Sequence, residues 1–108
     1  MPYKVLLTGN AARDLEELDA YITQHDSPAA AEYVLTRIEE KLNSLPEFPE
    51  RGVYPQELSS LGIRDFRELF FKPYRIIYRV VKNTVYIYLI VDGRRDMQTL
   101  LNRRLLNE

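Results

Sequence analysis

Pro73-Tyr74-Arg75-Ile76-Ile77-Tyr78-Arg79-Val80-Val81-Lys82-Asn83-Thr84-Val85-Tyr86-Ile87-Tyr88-Leu89-Ile90-Val91 reads as two strands folded back on a tight turn. The run is rich in β-branched and aromatic residues, and its apolar period is two. In the first strand, expected at 74–82, Tyr74, Ile76, Tyr78 and Val80 share one face, and Arg75, Ile77, Arg79 and Val81 share the other. The second, expected at 84–91, is apolar almost throughout, which predicts a central position covered on at least one side. Lys82-Asn83 supplies the turn between them, and Lys72-Pro73 a turn to a preceding strand at 63–71. The three strands make an antiparallel meander.

Upstream the period changes. Tyr3-Lys4-Val5-Leu6-Leu7-Thr8 is a short strand broken by Gly9-Asn10, with Asn10 the expected helix N-cap. Ala11, Leu15, Leu18 and Ile22 then form one stripe of a helix ending near His25-Asp26, while Arg13, Glu16, Glu17 and Asp19 face water. Ser27-Pro28 starts a second helix, with Ser as cap and Pro at the first helical position. Its stripe of Ala31, Leu35, Ile38, Leu42 and Leu45 runs to about residue 45, where Pro46 and Pro49 stop it. So short a link between two amphipathic helices predicts an antiparallel helical hairpin. Residues 46–62 hold Pro46, Pro49, Pro55, Gly52 and Gly62 and read as an irregular connector. Beyond the last strand, Asp92-Gly93 breaks the chain and Asp96 caps a short C-terminal helix carrying Met97, Leu100, Leu101 and Leu105. The expected architecture is α+β: an N-terminal strand and helical hairpin packed on a largely antiparallel sheet, with a short C-terminal helix, in one domain spanning 1–108.

Composition narrows the chemistry. There is no cysteine, which removes disulfides and thiolate sites and suits a reducing cytoplasm, the expected location. The single histidine, His25, sits at a helix end beside Asp26 on the acidic half of the chain, so we read it as a surface residue and expect no metal site and no cofactor. No apolar run approaches the roughly 18 residues of a membrane span, and the chain opens on strand-like residues rather than a signal peptide. The net charge of −1 is unevenly spread: residues 1–60 carry five Lys/Arg against eleven Asp/Glu, and residues 61–108 ten against five. This polarity predicts a basic surface that meets an acidic partner.

Pro73 to Val80, followed by Val85-Tyr86-Ile87 and then Asp92-Gly93-Arg94-Arg95-Asp96, resembles the RelE/ParE toxin superfamily of type II toxin–antitoxin systems. The resemblance covers the whole chain in element order and is most specific over residues 63–104. It implies one of two activities. RelE-like members enter the ribosome and cut mRNA, using lysines and arginines around the phosphate together with a C-terminal aromatic or histidine. ParE-like members carry out no known chemistry and poison DNA gyrase. Both are neutralised by an antitoxin that wraps over the toxin.

Metal-free RNA cleavage needs a base for the 2′-hydroxyl, a donor to the leaving oxygen and cations at the phosphate. Of the positions the RelE-like resemblance implies, Arg75 and Arg95 are retained, but Leu101 stands where the C-terminal tyrosine falls, and Glu68 occupies the strand that carries a lysine pair. A sequence pI near 5.9 is also low for a protein that docks into ribosomal RNA. The reading adopted is therefore ParE-like: a gyrase-directed toxin with no catalytic residues, a ParD-like, ribbon-helix-helix antitoxin as partner, and DNA met only indirectly through that antitoxin. The alternative is a RelE-like ribosome-dependent endoribonuclease with Arg75 and Arg95 in its active site. In either case Arg67, Arg75, Arg79, Arg94, Arg95 and Arg104 are the expected target- or antitoxin-binding residues, with Arg75, Arg79 and Arg95 converging on one patch at the sheet's end.

Overall fold

A computed structural model of the chain describes residues 2–106. Strand β1 (Lys4–Leu7) leads into the antiparallel helices α1 (Gly9–His25) and α2 (Pro28–Asn43). A short helix α3 (Gln56–Ser59) precedes strands β2 (Arg67–Phe71), β3 (Tyr74–Val81) and β4 (Thr84–Asp92), and helix α4 (Met97–Leu101) continues into one π-helical turn (Asn102–Leu106). The sheet order is β1-β4-β3-β2, with β1 parallel to β4 and the other pairs antiparallel.

The expected elements form, with local corrections. Thr8, not Asn10, caps α1, its hydroxyl accepting from the Ala11 N–H at 3.1 Å. Asn10 lies inside the first turn because the hydroxyl one residue before Gly9 already satisfies a free N–H there. Ser27 caps α2 with Pro28 in its first turn, as read from the sequence. β2 begins at Arg67 rather than at residue 63, the stretch before it being irregular, with Phe66 packed edge-on against Tyr88 in the core formed with α3 and α4. The connector contains α3, whose Leu58 is fully buried.

Both faces of the sheet are covered. The hairpin helices lay Ala11, Ile38 and Leu42 on Leu69, Ile76, Tyr78, Val85, Ile87 and Ile90. On the opposite face α3 and α4 place Leu58, Met97, Leu100 and Leu101 against Phe66, Ile77, Leu89 and Val91. Each fully buried aliphatic side chain contributes about 1.5–3 kcal/mol by leaving water. β4 changes parity between the two halves. The ladder pairs Tyr78 with Ile87 but Ile77 with Leu89, so Tyr88 is the extra residue of a β-bulge. Before the bulge, odd-numbered residues face the hairpin; after it, Ile90 does, and Leu89 and Val91 turn to α4. Among the described residues no helix is long and apolar enough to cross a membrane.

Candidate functional site

The six arginines singled out by the sequence fall into two groups, internal and external. Arg75 is internal. It lies on the β3 face that α3 covers, its stem resting over Gly93, where an added Cβ would come within 2.6 Å of the Arg75 Cδ. Its Nε donates to Glu68 at 2.7 Å, and its two terminal nitrogens donate to the two carboxylate oxygens of Glu57, each at 2.8 Å. Side-chain exposure is 12% for Arg75, 5% for Glu68 and 25% for Glu57. Glu68, which stands in the strand where the RelE-like resemblance implies a lysine pair, is buried and paired with Arg75.

The two carboxylates respond oppositely to this position. The Arg75 hydrogen bond holds Glu57 below its ordinary value of 4.5, whereas burial pushes Glu68 above it despite the same partner. A lowered folded-state pKa stabilises the fold above 4.5 and loses that contribution as pH falls through the folded value. The raised Glu68 acts in the other direction, its contribution being complete below 4.5 and lost as pH rises through its folded value. The acid limb of the stability curve therefore belongs in part to Glu57, and Glu57→Gln is expected to flatten the loss of melting temperature below pH 4.5. An unchanged slope across that limb would contradict the assignment.

Arg104 and Arg67 are also tied to the fold. Arg104 reaches from the π-helical turn to Asp14 of α1 at 3.0 and 3.3 Å and to the Tyr88 carbonyl at 3.0 Å. Asp14 in turn accepts from the Ile90 N–H at 3.1 Å, which lies beyond the end of β1. The trio thus satisfies β4 backbone groups past the end of β1 and pins the C-terminal segment to α1. Arg67 donates to the carbonyls of Glu50 and Gly52 and to the Tyr54 hydroxyl, holding the loop before α3.

Arg79, Arg94 and Arg95 face outward. Arg79 lies 3.6 Å from Asp65, with both side chains near half exposure. Arg94 is exposed and chelates Asp92 at 2.6 Å, and the guanidinium depresses the Asp92 pKa. Arg95 is exposed beside it, and both line a pocket of about 340 Å³ with Tyr21, Tyr74 and Glu17. The expected single patch does not form. Tyr74 pairs with Asp92, and Arg79 is five residues further along β3, roughly 17 Å away at 3.3 Å per residue. With Arg75 held between two carboxylates and mostly covered, the arginines form two separate outward groups.

Two further residues have placements that bear on chemistry. Leu101 is fully buried against α3 and the sheet. His25 is exposed, stacked on Tyr21 at 4.1 Å, with its Nδ1 3.0 Å from the Tyr21 carbonyl oxygen. The sequence reading missed Asp14 and Glu57. Asp14 had a signal, an acid three residues after Ala11 and four before Leu18, on the apolar stripe itself. Glu57, in a connector punctuated by proline and glycine, had none.

A second feature is an open groove of about 530 Å³ along the outside of the helical hairpin. Leu7, Leu15, Leu35 and Leu42 line its floor, and Asp19, Glu32 and Glu39 its rim.

The fold and sequence have close counterparts. The family described as the ParE toxin of the type II toxin–antitoxin system, parDE, matches residues 5–97. Toxin ParE3 of Caulobacter vibrioides is 28% identical over 101 residues, covering 94% of this chain and 97% of that protein. A chromosomal ParDE system from P. aeruginosa superposes with a TM-score of 0.69 at 20% identity, over 83% of this chain and 95% of the other. The E. coli toxin RelE, as a double mutant in the free state, superposes with a TM-score of 0.62 at 16% identity, over 97% of this chain and 100% of the other. The RelBE2 toxin–antitoxin complex from Mycobacterium tuberculosis gives 0.57 at 23% identity, over 85% and 92%. With the family matched across most of its length, the chain belongs to the ParE toxins of type II toxin–antitoxin systems.

Proposed function

We propose that this toxin inhibits DNA gyrase by binding, without chemistry of its own, and that its cognate antitoxin silences it by filling the hairpin groove. What supports the first part is the state of Arg75. A phosphate-binding arginine needs free N–H donors, yet three donors of Arg75 are held by Glu57 and Glu68 at 2.7–2.8 Å. Two carboxylates against one guanidinium leave the cluster net negative, so an incoming phosphodiester is repelled rather than gripped. Leu101 offers no proton and is packed in the core. Binding then falls to the outward arginines Arg79, Arg94 and Arg95.

The groove supports the second part. Its leucine floor suits the apolar face of an amphipathic segment, and its acidic rim selects one flanked by Lys or Arg. A disordered antitoxin tail that folds on contact meets these terms, and its binding raises the toxin's melting temperature by mass action. In a reconstituted assay, antitoxin-free protein is expected to block gyrase supercoiling or trap cleaved gyrase–DNA complexes while leaving ribosome-bound mRNA intact. Ribosome-dependent cleavage with gyrase unaffected would overturn the proposal.

A further inference from the structure

The loop before α3, the approach to β2 and the far end of β3 meet at a polar pocket of about 240 Å³, lined by Glu50, Arg64, Asp65, Arg67, Arg79 and Val80. Three guanidinium groups stand against two carboxylates, and their commitments differ. Arg67 spends three of its five N–H donors on the loop and keeps two. The Arg79–Asp65 separation of 3.6 Å is too long for a hydrogen bond, and an exposed pair of this kind holds its arginine weakly. Arg64 lies 5.8 Å over the Tyr54 ring, which Arg67 also covers at 4.6 Å, and Arg79 lies 5.8 Å over Phe66. A guanidinium resting on a ring has its plane fixed and its N–H edge left for an anion.

From this geometry we infer that the pocket holds a backbone phosphate of duplex DNA, so that the toxin grips the DNA as well as the protein of its target. A tetrahedral phosphate offers acceptor oxygens in several directions and can be shared by several arginines, whereas a planar carboxylate is matched by one guanidinium fork. For the source of the phosphate the inference rests on the gyrase reading. It departs from the expectation that the chain meets DNA only through its antitoxin.

The test is fluorescence anisotropy of a short labelled duplex titrated with antitoxin-free toxin over a range of salt. Wild type is expected to bind with an affinity that falls as salt rises. Arg64→Gln and Arg79→Gln, which keep much of each stem over its ring, are each expected to weaken binding and to reduce the salt slope by about 1. Arg13→Gln on α1 leaves that slope unchanged, and melting curves establish that all three variants are folded. Absence of salt-dependent binding by wild type, or wild-type slopes in both pocket variants, would overturn the inference. So would an acidic peptide of equal charge that binds the same arginines more tightly than the duplex. Gyrase is absent from this assay, so DNA binding by a toxin that leaves supercoiling untouched would refute the gyrase reading alone.

Discussion

Replacing Arg75 with alanine is expected to lower the stability of the fold by about 2–4 kcal/mol, because it strands the buried Glu68 carboxylate and leaves the partly exposed Glu57 without its partner. Glu68 is the more sensitive to this effect, its side chain being only 5% accessible. Much of the loss reaches α3, since Glu57 ties that helix to β3 through two bonds of 2.8 Å. Against a total of about 5–15 kcal/mol for a domain of ordinary stability, the change is readily seen as a shift in urea midpoint. The cost lies in the unpaired charges more than in the missing pair. Arg75→Met combined with Glu57→Leu and Glu68→Leu is therefore expected to restore stability to near wild type. A single alanine variant losing less than about 1 kcal/mol, the worth of a surface pair, would show that the cluster is solvated and not structural.

Gly52→Ala is expected to cost about 3 kcal/mol, the sum of an overpacked methyl and a broken buried hydrogen bond. A Cβ at this position would stand 2.7 Å from the Glu68 carbonyl oxygen, 2.7 Å from the Tyr78 hydroxyl and 2.9 Å from the Tyr78 ring. Neither neighbour can yield easily. The Glu68 carbonyl accepts from the Val53 N–H at 3.1 Å, and Tyr78 is fully buried in the hairpin-side core. The Gly52 N–H also donates to the Tyr78 hydroxyl at 2.9 Å, so displacing the loop leaves that oxygen without its donor. Tyr78→Phe removes the hydrogen bond and the 2.7 Å approach to the hydroxyl together, while the approaches to the ring and to the Glu68 carbonyl remain. The double variant Gly52→Ala, Tyr78→Phe should then be less destabilised than the two single losses added together, and strict additivity in denaturant titrations would contradict the close approach.

Elements whose signals are local could be read from the chain. The stripes of α1 and α2, the Ser27-Pro28 start and the period of β3 each repeat within a few turns, and all three stand where the sequence put them. The bulge at Tyr88 could not be read, because Tyr86 through Val91 is apolar on every residue and a parity change leaves no trace in such a run. The fate of the arginines was also hidden. Arg104 and its partner Asp14 are 90 residues apart, and Arg75 and Glu57 are 18 apart across a connector without periodicity. Sequence spacing puts Arg75 and Arg79 on one face correctly, yet only the packing of α3 decides that one is sealed and the other open.

Gyrase supercoiling with the apolar triple variant Arg75→Met, Glu57→Leu, Glu68→Leu beside wild type tests most directly that Arg75 is a structural residue of the toxin. The prediction is equal inhibition by both folded proteins, with ribosome-bound mRNA left uncut by either. Inhibition that vanishes with the arginine in a protein of wild-type melting temperature, or mRNA cleavage by wild type that the variant has lost, would contradict it.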